Sequence, residues 1–139
     1  VGEVVLVIAD LERGRTTLEF LDRKKFPVDA AWWYLEDDDE WQFYLHTPLI
    51  DEYSRKQVYE KLRDELADDP EVLQLREITL LSSSSELLLT LRSSGFKIGY
   101  PGDTFEVQPG PGLKSTAAIR LAGNTIDGVF IRDVLIYRL

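Results

Sequence analysis

The chain has no cysteine, a single histidine, and no apolar run approaching the roughly 20 residues that span a bilayer. Without cysteine there can be no disulfide, no thiolate metal site and no cysteine nucleophile, and the composition suits a reducing cytoplasm. The longest early apolar run, Val4 to Ala9, is too short for a span. No basic stretch or small-residue cleavage site surrounds it, so no signal peptide is expected. No serine stands in a recognisable nucleophile motif. No repeat of 20–50 residues and no low-complexity tail interrupts the 139 residues, which fit one domain able to bury its own core.

What is present is apolar and acidic. A hydrophobic fraction of 44% with 11% aromatics places the chain among folded proteins and not disordered ones. The net charge of −9 is unevenly spread. Residues 30–71 hold 13 acids against 4 bases, a net of −9, while the flanking segments nearly balance. Such a surface repels nucleic-acid phosphate and favours a cationic partner.

The acidic stretch opens on an aromatic hairpin that contains all three tryptophans. Residues 30–35 (Ala-Ala-Trp-Trp-Tyr-Leu) and 41–46 (Trp-Gln-Phe-Tyr-Leu-His) read as strands, joined by the tip Asp37-Asp38-Asp39-Glu40. Side chains alternate across a strand, so Trp32 and Tyr34 face one way and Trp33 and Leu35 the other. Both faces are apolar, whereas a strand with one wet face alternates apolar and polar. The hairpin must lie between layers or bury one face against another molecule.

The rest of the chain supplies helices and further strands. A helical stripe runs from Val4 to Lys25 and ends at Phe26-Pro27, with Gly14 a costly interruption. Ser54 caps a second helix to about Ala67, and residues 86–94 form a third, very apolar one. Residues 73–81 read as a strand, and a short strand is possible at 105–108 within a Gly/Pro-rich loop. A closing hairpin pairs 117–121 with 129–139 around Gly123 to Gly128. This order predicts an α+β domain over residues 1–139. Its mainly antiparallel sheet is built from the two hairpins and one further strand, with two to three helices packed on it.

The ending Gly123-Asn-Thr-Ile-Asp-Gly-Val-Phe-Ile-Arg-Asp-Val-Leu-Ile-Tyr-Arg138, with Phe26-Pro-Val-Asp29 and Thr47-Pro-Leu-Ile-Asp51, resembles small uncharacterised bacterial proteins. The resemblance implies a bacterial, soluble, single-domain protein. It brings no activity, cofactor or catalytic residue with it.

No segment carries a catalytic signature. Gly110-Pro-Gly-Leu-Lys-Ser-Thr116 has some letters of a P-loop, but the glycine and lysine spacing fails. Asp22-Arg23-Lys24 has the letters of a nuclease motif, with Asp29 or Asp51 as partner acid, but falls on the predicted first helix. The acidic tip lacks the glycine and alternate spacing of a calcium loop. Arg120 and Arg132 lie among apolar strand residues, where cross-strand pairing is their ordinary use. His46 precedes Asp51 and Glu52 closely, and these three residues are the candidates for a small metal-dependent hydrolase. A small-ligand binder using the aromatic hairpin is a further alternative.

The leading expectation is a protein-interaction module without a cofactor. Trp32, Trp33, Asp37, Asp38, Asp39, Glu40 and Trp41 form its contact surface, facing a protein partner with a basic surface. No nucleic-acid or membrane contact is expected. Three helices are too few to cover both apolar sheet faces, so a homodimer through the hairpin is expected as well.

Overall fold

The computed structural model describes residues 8–66, 69–93, 105–106, 119–126 and 128–139. Helix α1 spans Ile8–Arg23, and the aromatic hairpin follows as β1 (Ala30–Leu35) and β2 (Trp41–His46). Helix α2 (Arg55–Leu66), the three-residue strand β3 (Ile78–Leu80) and helix α3 (Glu86–Ser93) come next. Strands β4 (Phe105–Glu106), β5 (Ile119–Ile126) and β6 (Val129–Arg138) complete the described elements. No described helix is long and apolar enough to cross a membrane.

All six strands form one sheet in the order β3-β2-β1-β6-β5-β4. Both hairpins lie in it, as the α+β reading requires. Every pairing is antiparallel except β2 with β3, which is parallel. Trp33 stands opposite Phe43 in β2 and Leu135 in β6.

Both faces of the central strands are covered. On one, Leu11, Leu18 and Leu21 of α1 and Val58, Leu62 and Leu66 of α2 pack with Ala31, Trp33, Phe43, Leu45 and Leu135. On the other, Leu88 and Leu91 of α3 pack with Ala30, Trp32, Val134 and Ile136. Trp32 is 0% and Trp33 3% exposed, so the two-faced hairpin is an internal layer. At about 25 cal/mol per Å² and roughly 150–250 Å² per ring, each buried tryptophan contributes about 4–6 kcal/mol of transfer free energy.

Local chemistry fixes several element ends. Helix α1 stops in a Schellman motif. Lys25 takes a left-handed φ of 60°, Phe26 N–H donates to Leu21 O at 2.9 Å and Lys25 N–H to Asp22 O at 3.1 Å. Phe26 then folds into the core beside Leu21. At Gly14, α1 crosses the sheet closely: a Cβ there would lie 2.7 Å from Tyr137 Oη and 2.8 Å from Trp33 Nε1. The helix tolerates glycine because a side chain has no room.

The strand expected over 73–81 is shorter. Leu75–Glu77 forms a 3-10 turn and only Ile78–Leu80 pairs. Glu77 is responsible: its carboxylate accepts from the Gln74 N–H at 2.8 Å and from Arg13 Nη2 at 2.8 Å, which curls the segment toward α1. Burial works to raise the Glu77 carboxyl, but the Arg13 and Gln74 bonds outweigh it and hold it below its ordinary value. The edge of β3 is closed by α2, since Leu80 N–H donates to Tyr59 Oη at 2.9 Å and Leu80 O accepts from Arg55. In the closing hairpin, β5 runs on to Ile126, so most of the expected Gly123–Gly128 loop is strand, with Gly123 kinked at φ 63° and Gly128 at φ 81°. Residues 4–7 of the first predicted helix and the P-loop-like segment 110–116 lie outside the described residues.

Candidate functional site

Two polar constellations stand out, one at each end of the aromatic hairpin. At the tip, Glu36 N–H donates to Glu40 O at 2.8 Å and Asp39 N–H to Glu36 O at 3.0 Å. The Asp38 carboxylate accepts from Glu40 N–H at 3.1 Å, and Asp39 takes φ 64°, a conformation that Asp tolerates better than most residues. The turn is therefore internally braced. Asp37, Asp38, Asp39 and Glu40 are all exposed. With Glu36, Gln42 and Thr79, three of them line a shallow concavity of about 420 Å³.

The acids of the tip are not equivalent. Glu36 accepts from Tyr44 Oη, and Asp39 is paired with Arg132 at 2.5 Å. Arg132 also donates to Glu36 O at 3.1 Å. Burial, with the Glu36 hydrogen bond and charge behind it, pushes the Tyr44 phenol well above its ordinary range; burial, Glu36 and Asp37 raise Tyr34. Asp37, Asp38 and Glu40 remain as outward charge.

The tryptophans do not join them. Trp32 and Trp33 are core residues, and Trp41 is half-buried against the α1–α2 side of the sheet. This corrects the expectation that Trp32 and Trp33 face a partner: a hairpin apolar on both sides is satisfied inside the chain because α3 covers its second face. With Trp32 0% and Trp33 3% exposed, neither ring is open to a small ligand.

At the other end of the hairpin lies His46, the last residue of β2 and only 4% exposed. Its Nδ1 is 2.5 Å from Asp29 Oδ1, and its Nε2 is 3.0 Å from Ser83 Oγ. Ser83 in turn donates toward Asp51, whose two carboxylate oxygens are both 2.8 Å from Oγ. Asp29 also meets Arg92 Nη2 of α3 at 3.5 Å, and its N–H donates to His46 O at 3.1 Å. Topology explains the convergence. The start of β1, the end of β2 and, through the parallel pairing, the end of β3 meet at one end of the sheet.

Of the sequence-level trio, His46 and Asp51 are thus linked through Ser83, while Glu52 is exposed and stands apart from the network. No cluster of three or more His, Asp or Glu side chains suited to a metal is found among the described residues. Asp22, the candidate nuclease acid, is engaged by Arg138 at 2.8 Å. Asp29 and Ser83 were not singled out as partners of His46 from the sequence. Asp29 was within reach, because it directly precedes the strand that pairs with His46. Ser83 sits in a run of four serines with no motif around it. Set against models of known protein families, curated proteins and solved structures, the chain matches none.

Proposed function

We propose that this chain is a protein-contact module that presents its braced acidic hairpin tip, with the adjoining α2, to a partner bearing a basic surface. The observation that carries the reading is the preorganised turn. Asp37, Asp38 and Glu40 point outward from a backbone held by three internal hydrogen bonds, around a shallow concavity of about 420 Å³. Little ordering entropy is then lost on binding. The contact is polar, with the tryptophans acting from beneath as the platform that fixes the turn. A homodimer through Trp32 and Trp33 has no surface to use in this reading, since α3 supplies the cover that a second copy was expected to supply. The absence of cysteine suits work in the reducing cytoplasm.

Fluorescence anisotropy with a labelled Lys/Arg-rich peptide tests the proposal. Asp37→Asn/Asp38→Asn/Glu40→Gln should weaken binding strongly and leave the melting temperature nearly unchanged. Affinity of the wild type should fall steeply as salt rises past about 0.15 M, where the screening length is about 8 Å. A control neutralises three exposed acids outside both the tip and α2, Glu19→Gln/Glu71→Gln/Glu86→Gln. An equal loss from that control would show diffuse charge and not the tip, and would defeat the proposal.

A further inference from the structure

The network at the far end of the hairpin has the connectivity of a nucleophile, a base and an orienting acid. Ser83 Oγ and His46 Nε2 are 3.0 Å apart, inside the range in which a hydroxyl passes its proton to an imidazole. On the opposite side of the ring, Asp29 Oδ1 lies 2.5 Å from Nδ1. That contact fixes the ring plane and keeps a proton on Nδ1, leaving Nε2 as the basic nitrogen. His46 is buried while Ser83 is half-exposed in the turn between β3 and α3, so the base is shielded and the nucleophile is reachable. These three residues come from three separate segments. The ends of three adjacent strands bring them together.

We infer that Ser83 is a catalytic nucleophile and that the chain hydrolyses small uncharged esters through an acyl-serine intermediate. Ser83 Oγ attacks the ester carbonyl carbon as its proton moves to His46 Nε2. The carbonyl–alkoxide bond breaks, and the alcohol leaves with the proton that His46 returns. Water then attacks the acyl-serine, gives one proton to His46 and releases the carboxylic acid. His46 restores the proton to Oγ. Asp29 is a positioning residue. The carboxylates of Asp29 and Asp51 disfavour an anionic ester, and a Ser83 that is only half-exposed suits a small acyl group.

Asp51 sets the resting state. A hydroxyl carries one proton, and Asp51 competes with His46 for it from 2.8 Å. While the proton is turned toward Asp51, His46 cannot remove it. Asp51 is exposed, at the end of the 3-10 turn Pro48–Asp51, so it acts as a brake at the rim of the site. An Asn there donates its amide to Oγ and frees the hydroxyl proton for Nε2.

A fluorophosphonate probe tests this, because a serine activated in this way displaces fluoride from phosphorus. The full chain is incubated with the probe, followed by intact mass and peptide mapping. One adduct per chain is expected, on Ser83 and not on Ser82, Ser84 or Ser85. Ser83→Ala should abolish it, and Ser82→Ala/Ser84→Ala should leave it unchanged. His46→Asn should slow labelling by at least about 100-fold, the usual share of a general base. Asp29→Asn should slow it too, with partial rescue by Asp29→Glu, and Asp51→Asn should speed it. Wild-type measurement needs no variant to fold. If neither the wild type nor Asp51→Asn gains an adduct on Ser83, or if adducts spread evenly over the four serines, the network is a structural clasp and the inference fails.

Discussion

Replacing Gly14 by alanine should destabilise the protein, against the helix propensity scale. In an open helix interior the change gains about 1 kcal/mol. Here the added Cβ would sit 2.7 Å from Tyr137 Oη, 2.8 Å from Trp33 Nε1 and 3.1 Å from Tyr137 Cζ. Neither ring can retreat cheaply. Trp33 is edge-on to Phe43 at 5.2 Å, Phe43 abuts Tyr137 at 5.9 Å, and Tyr137 Oη accepts from Trp33 Nε1 at 3.2 Å while donating to Leu11 O. Overpacking a filled site costs about 1–3 kcal/mol. Breaking the Trp33–Tyr137 bond and stranding a buried N–H adds about 1–3 kcal/mol. After the propensity gain is subtracted, the net loss is roughly 1–5 kcal/mol. For a chain of 139 residues each kcal/mol moves the midpoint by about 3–5 °C. Thermal unfolding followed by circular dichroism measures it. Adding Tyr137→Phe removes the atom nearest the new Cβ, so the two changes should be less than additive. A Gly14→Ala variant that melts at or above the wild-type temperature would refute the close approach of α1 to the sheet.

Other expectations follow from the same contacts. Lys25→Gly should stabilise the protein by about 0.5–1 kcal/mol, since Lys25 holds a left-handed φ of 60° at an exposed position; a lower midpoint would contradict the Schellman cap. Glu77→Gln should cost about 1 kcal/mol at neutral pH after allowance for solvent screening. Because the folded carboxyl is held below its ordinary 4.5, that stability is complete above this value and is lost as pH falls through the folded one, so urea midpoints of variant and wild type should converge in acid. Tyr44 and Tyr34 are raised above their ordinary 10.0 by burial first and by Glu36 next, so the fold favours the neutral phenols and loses stability as pH climbs past 10.0. Absorbance at the tyrosinate band should show late-titrating groups, and Glu36→Gln should bring Tyr44 forward; no change in that variant would deny the Glu36 contact.

Much of this fold is legible in the residues because the signals are local. The hairpin strands fall at residues 30–35 and 41–46 because alternation, aromatic content and the acidic tip all agree there. The demand that a two-faced hairpin be covered twice was also readable; the identity of the second cover was not. That role belongs to α3, an eight-residue helix whose position depends on the parallel pairing of β2 with β3. Short parallel contacts leave no periodic trace of their own. Residues 73–77 show the reverse failure: their alternation reads as strand, but Glu77 is taken by Arg13, 64 positions away, and the segment curls. The acidic tip was visible as charge. The Asp29–His46–Ser83 network was half-visible, since strand register brings Asp29 beside His46, whereas Ser83 arrives only through tertiary pairing.

The place of β1 in the sheet also constrains how the chain can be made. Its two neighbours are β2, a few residues later, and β6, whose Tyr137 is 104 residues beyond Trp33. During synthesis at about 5–20 residues per second, α1, the hairpin and α2 leave the ribosome and can associate several seconds before β6 exists. In that interval one edge of β1 has no hydrogen-bonding partner, and Trp32 lacks Val134 and Ile136 beside it. The nascent chain thus passes through a stage with an open aromatic strand edge, the form most prone to pair with another copy. The exposed carboxylates of the adjoining tip would oppose such pairing by like-charge repulsion until the last strand closes the sheet.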